Sequence, residues 1–172
     1  YGACLRRLIN WACAARAQFP TTPICASKAD FKSAYRRCHL NPSTALHSCT
    51  QVEIDEDDKL LVMFLRLTFG GKLCPSEWSA IAEPICDLST ALLHDDKWDT
   101  ATLASPSQSL VPPPARNYDL TRPFGVGREL VVDIPINPRG TYDLYLDDIA
   151  GLTLDVPGSN NLERLAGAHL LA

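Results

Sequence analysis

The chain has 172 residues and a mass of 18.9 kDa, a one-domain length that buries about 70 % of its unfolded surface and so supports a core without a disulfide or metal staple. Hydrophobic residues at 46 % and charged residues at 21 % sit near the globular average and exclude a collagen-like, coiled-coil or disordered chain. No apolar run reaches the roughly 18 residues of a membrane span, and the opening residues lack a signal peptide's apolar block; both predict a soluble, intracellular protein of cytoplasm or nucleus. The cysteines, Cys4, Cys13, Cys25, Cys38, Cys49, Cys74 and Cys86, are odd in number and form no C-x-x-C pair. They read as reduced thiols, with zinc disfavoured. The net charge of −4 conceals an asymmetry: residues 1–40 hold seven Lys or Arg against one acid, Asp30. Such a cationic end suits a phosphate-facing surface and equally a solvated helix face.

In chain order, residues 3–18 predict a helix, because Leu5, Leu8, Ile9 and Ala12 recur at helical spacing before Pro20 and Pro23. The proline-bounded ICASKADF predicts a strand that carries Asp30 at its end. LHSCTQVEI and KLLVMFLRL read as two β runs joined by the acidic turn Asp55 to Asp58. Gly70-Gly71 ends the second run, and Pro75 suits a first helical turn. From Trp78, the residues Ile81, Ala82, Ile85, Leu88 and Leu92 keep helical spacing, with a kink or early break expected at Pro84. Residues 94–140 hold seven of the thirteen prolines, Pro112-Pro113-Pro114 among them, and read as a long loop or insertion. TYDLYLDDIAGLTLDV predicts a hairpin with Asp147-Asp148 at its tip, VPGSNN a turn and helix cap, and LERLAGAHLLA a final amphipathic helix.

Asp is a common turn residue, so Asp147-Asp148 taken alone carries little weight. Its setting distinguishes it: Leu144, Tyr145, Leu146, Ile149 and Leu152 place two like charges against apolar strands, which is costly unless cations compensate them. Hard divalent cations bind through a few carboxylates plus phosphate oxygens, so a further strand-end Asp completes such a site. Asp30 is the only acid among the first 52 residues and ends a predicted strand. The four histidines are scattered and read as surface or packed groups, and Trp78 reads as core.

Over most of its length the chain resembles the reverse transcriptases of retroelements. SKADFKSAYRR is similar to that family's first motif, with Asp30, Ala34 and Tyr35 on matching positions. LRLTFGGKLCPSEW is similar to the second through Leu67, Phe69, Gly70, Lys72, Pro75 and Trp78. LYLDD is similar to the Tyr-x-Asp-Asp box through Tyr145, Asp147 and Asp148. It departs in having Thr68 where the second motif has Pro and Gly71 where a bulky residue is usual, and in a long stretch between the second and third motifs.

The resemblance implies an α+β fold, a polymerase palm-like antiparallel sheet backed by helices with a partial fingers region. Residues 1–93 would hold the first two motifs with part of the fingers, 94–140 the insertion, and 141–172 the catalytic hairpin and following helix. The function implied is RNA-directed DNA synthesis by two-metal nucleotidyl transfer, with Mg²⁺ or Mn²⁺ as cofactor. Asp30 and Asp147 would bridge the metals, with Asp148 supporting. Tyr35 would be a steric gate against ribonucleotides, or else an ordinary core aromatic. Phe69, Gly70, Gly71 and Lys72 would face the incoming nucleotide; the glycines equally suit a strand-to-helix turn, and Lys72 a solvated position. Arg36, Arg37 and Tyr145 would contact nucleic acid, or the two arginines simply end a solvated strand. The partners implied are a template–primer, deoxynucleoside triphosphates and the remainder of a larger polyprotein, with no membrane. Two other classes compete: an inactive remnant that keeps nucleic-acid binding, and a metal-dependent phosphotransferase, which leaves Tyr35 and the Gly-Gly-Lys segment unexplained.

Overall fold

A computed structural model describes residues 3–56, 58–72, 74–103 and 134–172. The chain is mixed α+β, with four α-helices and two small antiparallel sheets among the described residues. It divides into two compact units, residues 1–30 with 82–172 and residues 31–81. The first is discontinuous in sequence. Pairing of an early strand with a late one makes it so.

Unit 1 is built on a three-stranded antiparallel sheet in the order β1 (Ile24–Asp30), β5 (Asp148–Leu154), β4 (Thr141–Tyr145). The register sets Ile24 against Leu154, Ala26 against Leu152 and Asp30 against Asp148, so these residues share one face. Helix α1 (Cys4–Gln18) covers that face: Trp11 and Ala15 pack with Leu154, and Ile24 and Leu152 join them. Helix α4 (Asn161–Leu171) covers the other, where Ser27 Oγ lies 2.6 Å from His169 Nε2. A Cβ on Gly151 would sit 2.5 Å from the Tyr142 ring and 2.9 Å from Leu165, so that close packing requires glycine.

The buried stripe of α1 is Cys4, Leu8, Trp11 and Ala15, whereas the predicted Leu5 and Ile9 are exposed. The helical period is as expected and its face is rotated. Small residues at 4, 14 and 15 allow the helix backbone to approach the sheet, which the bulkier Leu5 and Ile9 would prevent.

Helix α3 (Cys74–His94) contributes its first turns to unit 2 and the rest to unit 1. It runs through Pro84 without the expected break. Pro84 is exposed, on the side of the helix away from buried Ala82 and Cys86. Ile81 and Leu88, expected on the apolar face, are exposed; Trp78, Ala82, Cys86, Ser89 and Leu93 form the buried stripe. Buried Arg164 closes the C-terminal end of α3, donating to the carbonyls of Leu92, Leu93, Asp95 and Trp98 and satisfying acceptors that a helix end leaves open.

Unit 2 begins with a 3-10 turn over Ala34–Arg37, and residues 38–40 then pair with 65–67. Strands β2 (Cys49–Glu53) and β3 (Lys59–Met63) form a hairpin. The first β run starts at Cys49 rather than Leu46 because Asn41-Pro42 opens a short helix α2 (Pro42–Leu46): Asn41 Oδ1 accepts from the Thr44 N–H at 2.8 Å. The acidic turn is exposed at Asp55, Glu56 and Asp58; Asp57 lies outside the described residues, as does most of the 94–140 stretch, Pro112-Pro113-Pro114 included. Its described flanks hold a 3-10 turn at Thr100–Thr102 and a turn at 138–139. The described cysteines are free, and no helix of the described residues is long and apolar enough to cross a membrane.

Candidate metal centre

Strand β1 ends on Asp30, and the β1–β5 register places Asp148 directly across from it. The β4–β5 hairpin closes through Leu146 and Asp147, with Tyr145 paired to Asp148 below them. A two-residue hairpin turn calls for a positive φ at its first residue, a position that favours glycine. Leu146 occupies it at φ 60°, a conformation costing about 1–3 kcal/mol in a residue with a Cβ. The turn carries Asp147 to the place where β1 and β5 present their own acids. One carboxylate oxygen from each of Asp30, Asp147 and Asp148 lies within 4.8 Å of the others, with Asp30 exposed and the other two half-buried.

Three like charges so close repel one another, and one cation already stands beside them. Lys28 Nζ is 2.9 Å from Asp148 Oδ2. Lys28 precedes Asp30 by two strand positions and so shares its face. The hydrogen bond to Asp148, then that carboxylate's charge, raise the Lys28 pKa above the ordinary lysine value, with smaller contributions from Asp30 and Asp147. The side chain is an ammonium at neutral pH.

A partly buried ion pair ties the hairpin to α1. Asp143 on β4 accepts from Arg7 of α1 through both carboxylate oxygens, Nε to Oδ2 at 2.5 Å and Nη2 to Oδ1 at 2.6 Å. Nearby, burial and then the Asp143 charge push the Cys4 thiol up to about 11 and the Cys86 thiol up to about 12, so both stay protonated. Neither Lys28 nor Asp143 was singled out from sequence. The signals were present in strand periodicity: Lys28 lies two before Asp30, and Asp143 is an acid inside an otherwise apolar strand.

The remaining expected site residues lie in unit 2, apart from exposed Tyr145. Tyr35 is buried, edge-on to Phe69 at 4.9 Å between ring centroids and tilted to Trp78 at 6.1 Å, so within its unit it is a packed aromatic. Phe69 is exposed. Gly70 has φ 89° in open space, a conformation L side chains rarely adopt, whereas a Cβ on Gly71 would collide with Cys74 Sγ. The strand-to-helix turn by itself therefore accounts for both glycines. Lys72 is exposed on a cleft of about 680 Å³ that His39 and His47 also line. Arg36 and Arg37 are exposed, with Arg37 Nε donating to the Lys32 carbonyl. The other histidines are packed: His94 meets the Gly140 carbonyl, and His169 lies between Ser27 and Tyr142.

Comparison with protein-family models, curated proteins and solved structures finds no match to this chain.

Proposed function

We propose that this chain is the palm-centred part of a retroelement polymerase that copies a nucleic-acid template, RNA by the family resemblance, into DNA. The observation that carries this reading is the convergence of Asp30, Asp147 and Asp148 within 4.8 Å, from strand ends far apart in sequence. These are the acids of the first and third motifs. The donor set suits Mg²⁺ or Mn²⁺: three carboxylates, all hard oxygen ligands, half open to solvent and so to water and phosphate oxygens. Asp30 and Asp147 would hold the cations, with Asp148, tied to Lys28, in support. Cations held by these carboxylates would supply electrostatic stabilisation for attack by a primer 3′-oxygen on the α-phosphorus, with the bond to the β-phosphate breaking and pyrophosphate leaving. The chain's own part is to hold its carboxylates in place: the β1–β5 register fixes Asp30 and Asp148, and the strained turn at Leu146 aims Asp147. By the resemblance alone, Tyr35 would be the sugar gate and Phe69, Gly70, Gly71 and Lys72 would face the incoming nucleotide.

Large apolar side chains left exposed on the β2–β3 hairpin and its flanks, Val52, Ile54, Leu60, Leu61, Met63 and Phe64 among them, support a chain that works within a larger protein. Primer extension with deoxynucleoside triphosphates and Mg²⁺ or Mn²⁺, on RNA and DNA templates, tests the reading. Extension lost in Asp147→Asn and in Asp30→Asn is the expected result. Template–primer binding with no extension in the unaltered protein replaces it with the inactive remnant.

A further inference from the structure

Each unit leaves one apolar face exposed. On the β2–β3 hairpin the register sets Val52 against Leu60 and Thr50 against Val62, so these four share a face, and Ile54 and Phe64 follow at its two ends. Val52, Ile54, Leu60 and Phe64 are all exposed. The opposite face is mixed, carrying Leu61 and Met63 together with Gln51 and the Glu53–Lys59 ion pair. The turn that closes the hairpin adds Asp55, Glu56 and Asp58. All three are exposed, and none has a basic partner among the described residues. The hairpin is thus an apolar ribbon with an acidic tip.

Helix α1 carries the complementary face. Leu5 and Ile9, one turn apart, are exposed on the side away from the stripe that packs on the sheet, with exposed Arg6 beside them. The helix contains no acidic residue and its N-terminus has no side-chain cap, so the positive end of its dipole adds to the Arg6 charge where Leu5 lies. Like faces do not suit each other: two α1 faces bring arginines together, and two hairpin tips bring acids together. Unlike faces do. The basic end of α1 meets the acidic turn while Leu5 and Ile9 lie along Ile54, Val52 and Leu60. The lengths agree, since the 15 residues of α1 span about 22 Å and the five-residue strands about 17 Å.

We propose that the α1 face of one copy of this chain docks on the hairpin face of a second copy, with Arg6 and the α1 N-terminus against Asp55, Glu56 and Asp58. The contact is heterologous, joining different patches on the two copies. It goes beyond the polymerase reading and is independent of it, so its test needs no primer extension. One helix on two strands makes a small interface, of the kind that holds weak, concentration-dependent assemblies. Sedimentation velocity at rising protein concentration should show association that weakens with added salt, because charges at the edge of the contact are screened. Ile9→Asp and Leu60→Lys, both at exposed positions, should each weaken it by about tenfold or more, with thermal melting of the variants unchanged. Mixing is the decisive arm. Ile9→Asp keeps an intact hairpin and Leu60→Lys an intact α1, so two proteins that are each monomeric should form a one-to-one complex when combined. If Leu60→Lys fails to fold, the exposed turn position serves instead: Arg6→Glu and Glu56→Lys should each lose association, and the double variant should regain it. A chain that stays monomeric at every concentration would overturn the inference. So would variants that associate like the unaltered protein. Monomeric variants that fail to combine, or a charge swap that restores nothing, would replace it with contact between like faces.

Discussion

Replacing Arg7 by Met keeps an aliphatic stem and removes the guanidinium from Asp143, whose side chain is 8 % exposed while that of Arg7 is 63 % exposed. The carboxylate is left with the Leu144 N–H, a donor at 2.8 Å, as its remaining hydrogen bond among those described. Breaking a fully buried pair costs about 3–5 kcal/mol. Because Arg7 is mostly solvated, the loss here is reduced to about 2 kcal/mol. For a chain of this size each kcal/mol moves Tm by roughly 2–4 °C, so Arg7→Met should lower it by about 4–8 °C. Asp143→Asn removes the charge and should relieve most of that loss in the double variant, giving a coupling of about 1.5–2 kcal/mol in a double-mutant cycle. Calorimetry or urea unfolding of the four proteins measures it. A fall under about 2 °C, or additive effects, would show that the pair does not hold α1 to β4 and that the hairpin is positioned by apolar packing alone.

Three further outcomes follow from the same geometry. Lys28→Met removes the cation nearest the carboxylates, so Mn²⁺ titrated into the free protein and followed by electron paramagnetic resonance should bind several-fold more tightly; weaker or equal binding would sink the idea that Lys28 and metal compete. Burial lowers the His169 pKa below its ordinary value, so the unfolded chain takes up a proton before the folded one does. This contribution to stability is full above about pH 6.5 and declines as pH falls towards the folded pKa; His169→Gln should flatten that part of a stability–pH profile, and an unchanged profile would show that the ring is not dry. Gly151→Ala drives a methyl into the Tyr142 ring and should cost about 1–3 kcal/mol, read by chemical denaturation, with unchanged stability counting against close packing of α4 on the sheet.

How much of this was legible in sequence differs from element to element. Strand β1, the β4–β5 hairpin, α1 and α4 were all readable, because period-2 and period-3.6 patterns are local and Pro, Gly and Asp mark their ends. Asp30 and Asp147-Asp148 stood out for the same reason, as acids at the ends of apolar runs. Which helix face packs was not readable: Leu5, Ile9, Ile81 and Leu88 suited the core as well as Cys4, Ala15 and Cys86 did, and only close approach to a sheet favours the smaller side chains.

Residue type and local spacing by themselves determined the order of the helices and strands and marked out the three acids. Tertiary structure alone decided that β1 lies beside β5, so that Asp30 faces Asp148 across more than a hundred residues of chain. It also decided that Lys28 neutralises one of the acids and that Arg66 stands across from His39. Those relations depend on strand register, and register is selected by which apolar faces fit together over the whole sheet, information that no short stretch of sequence contains.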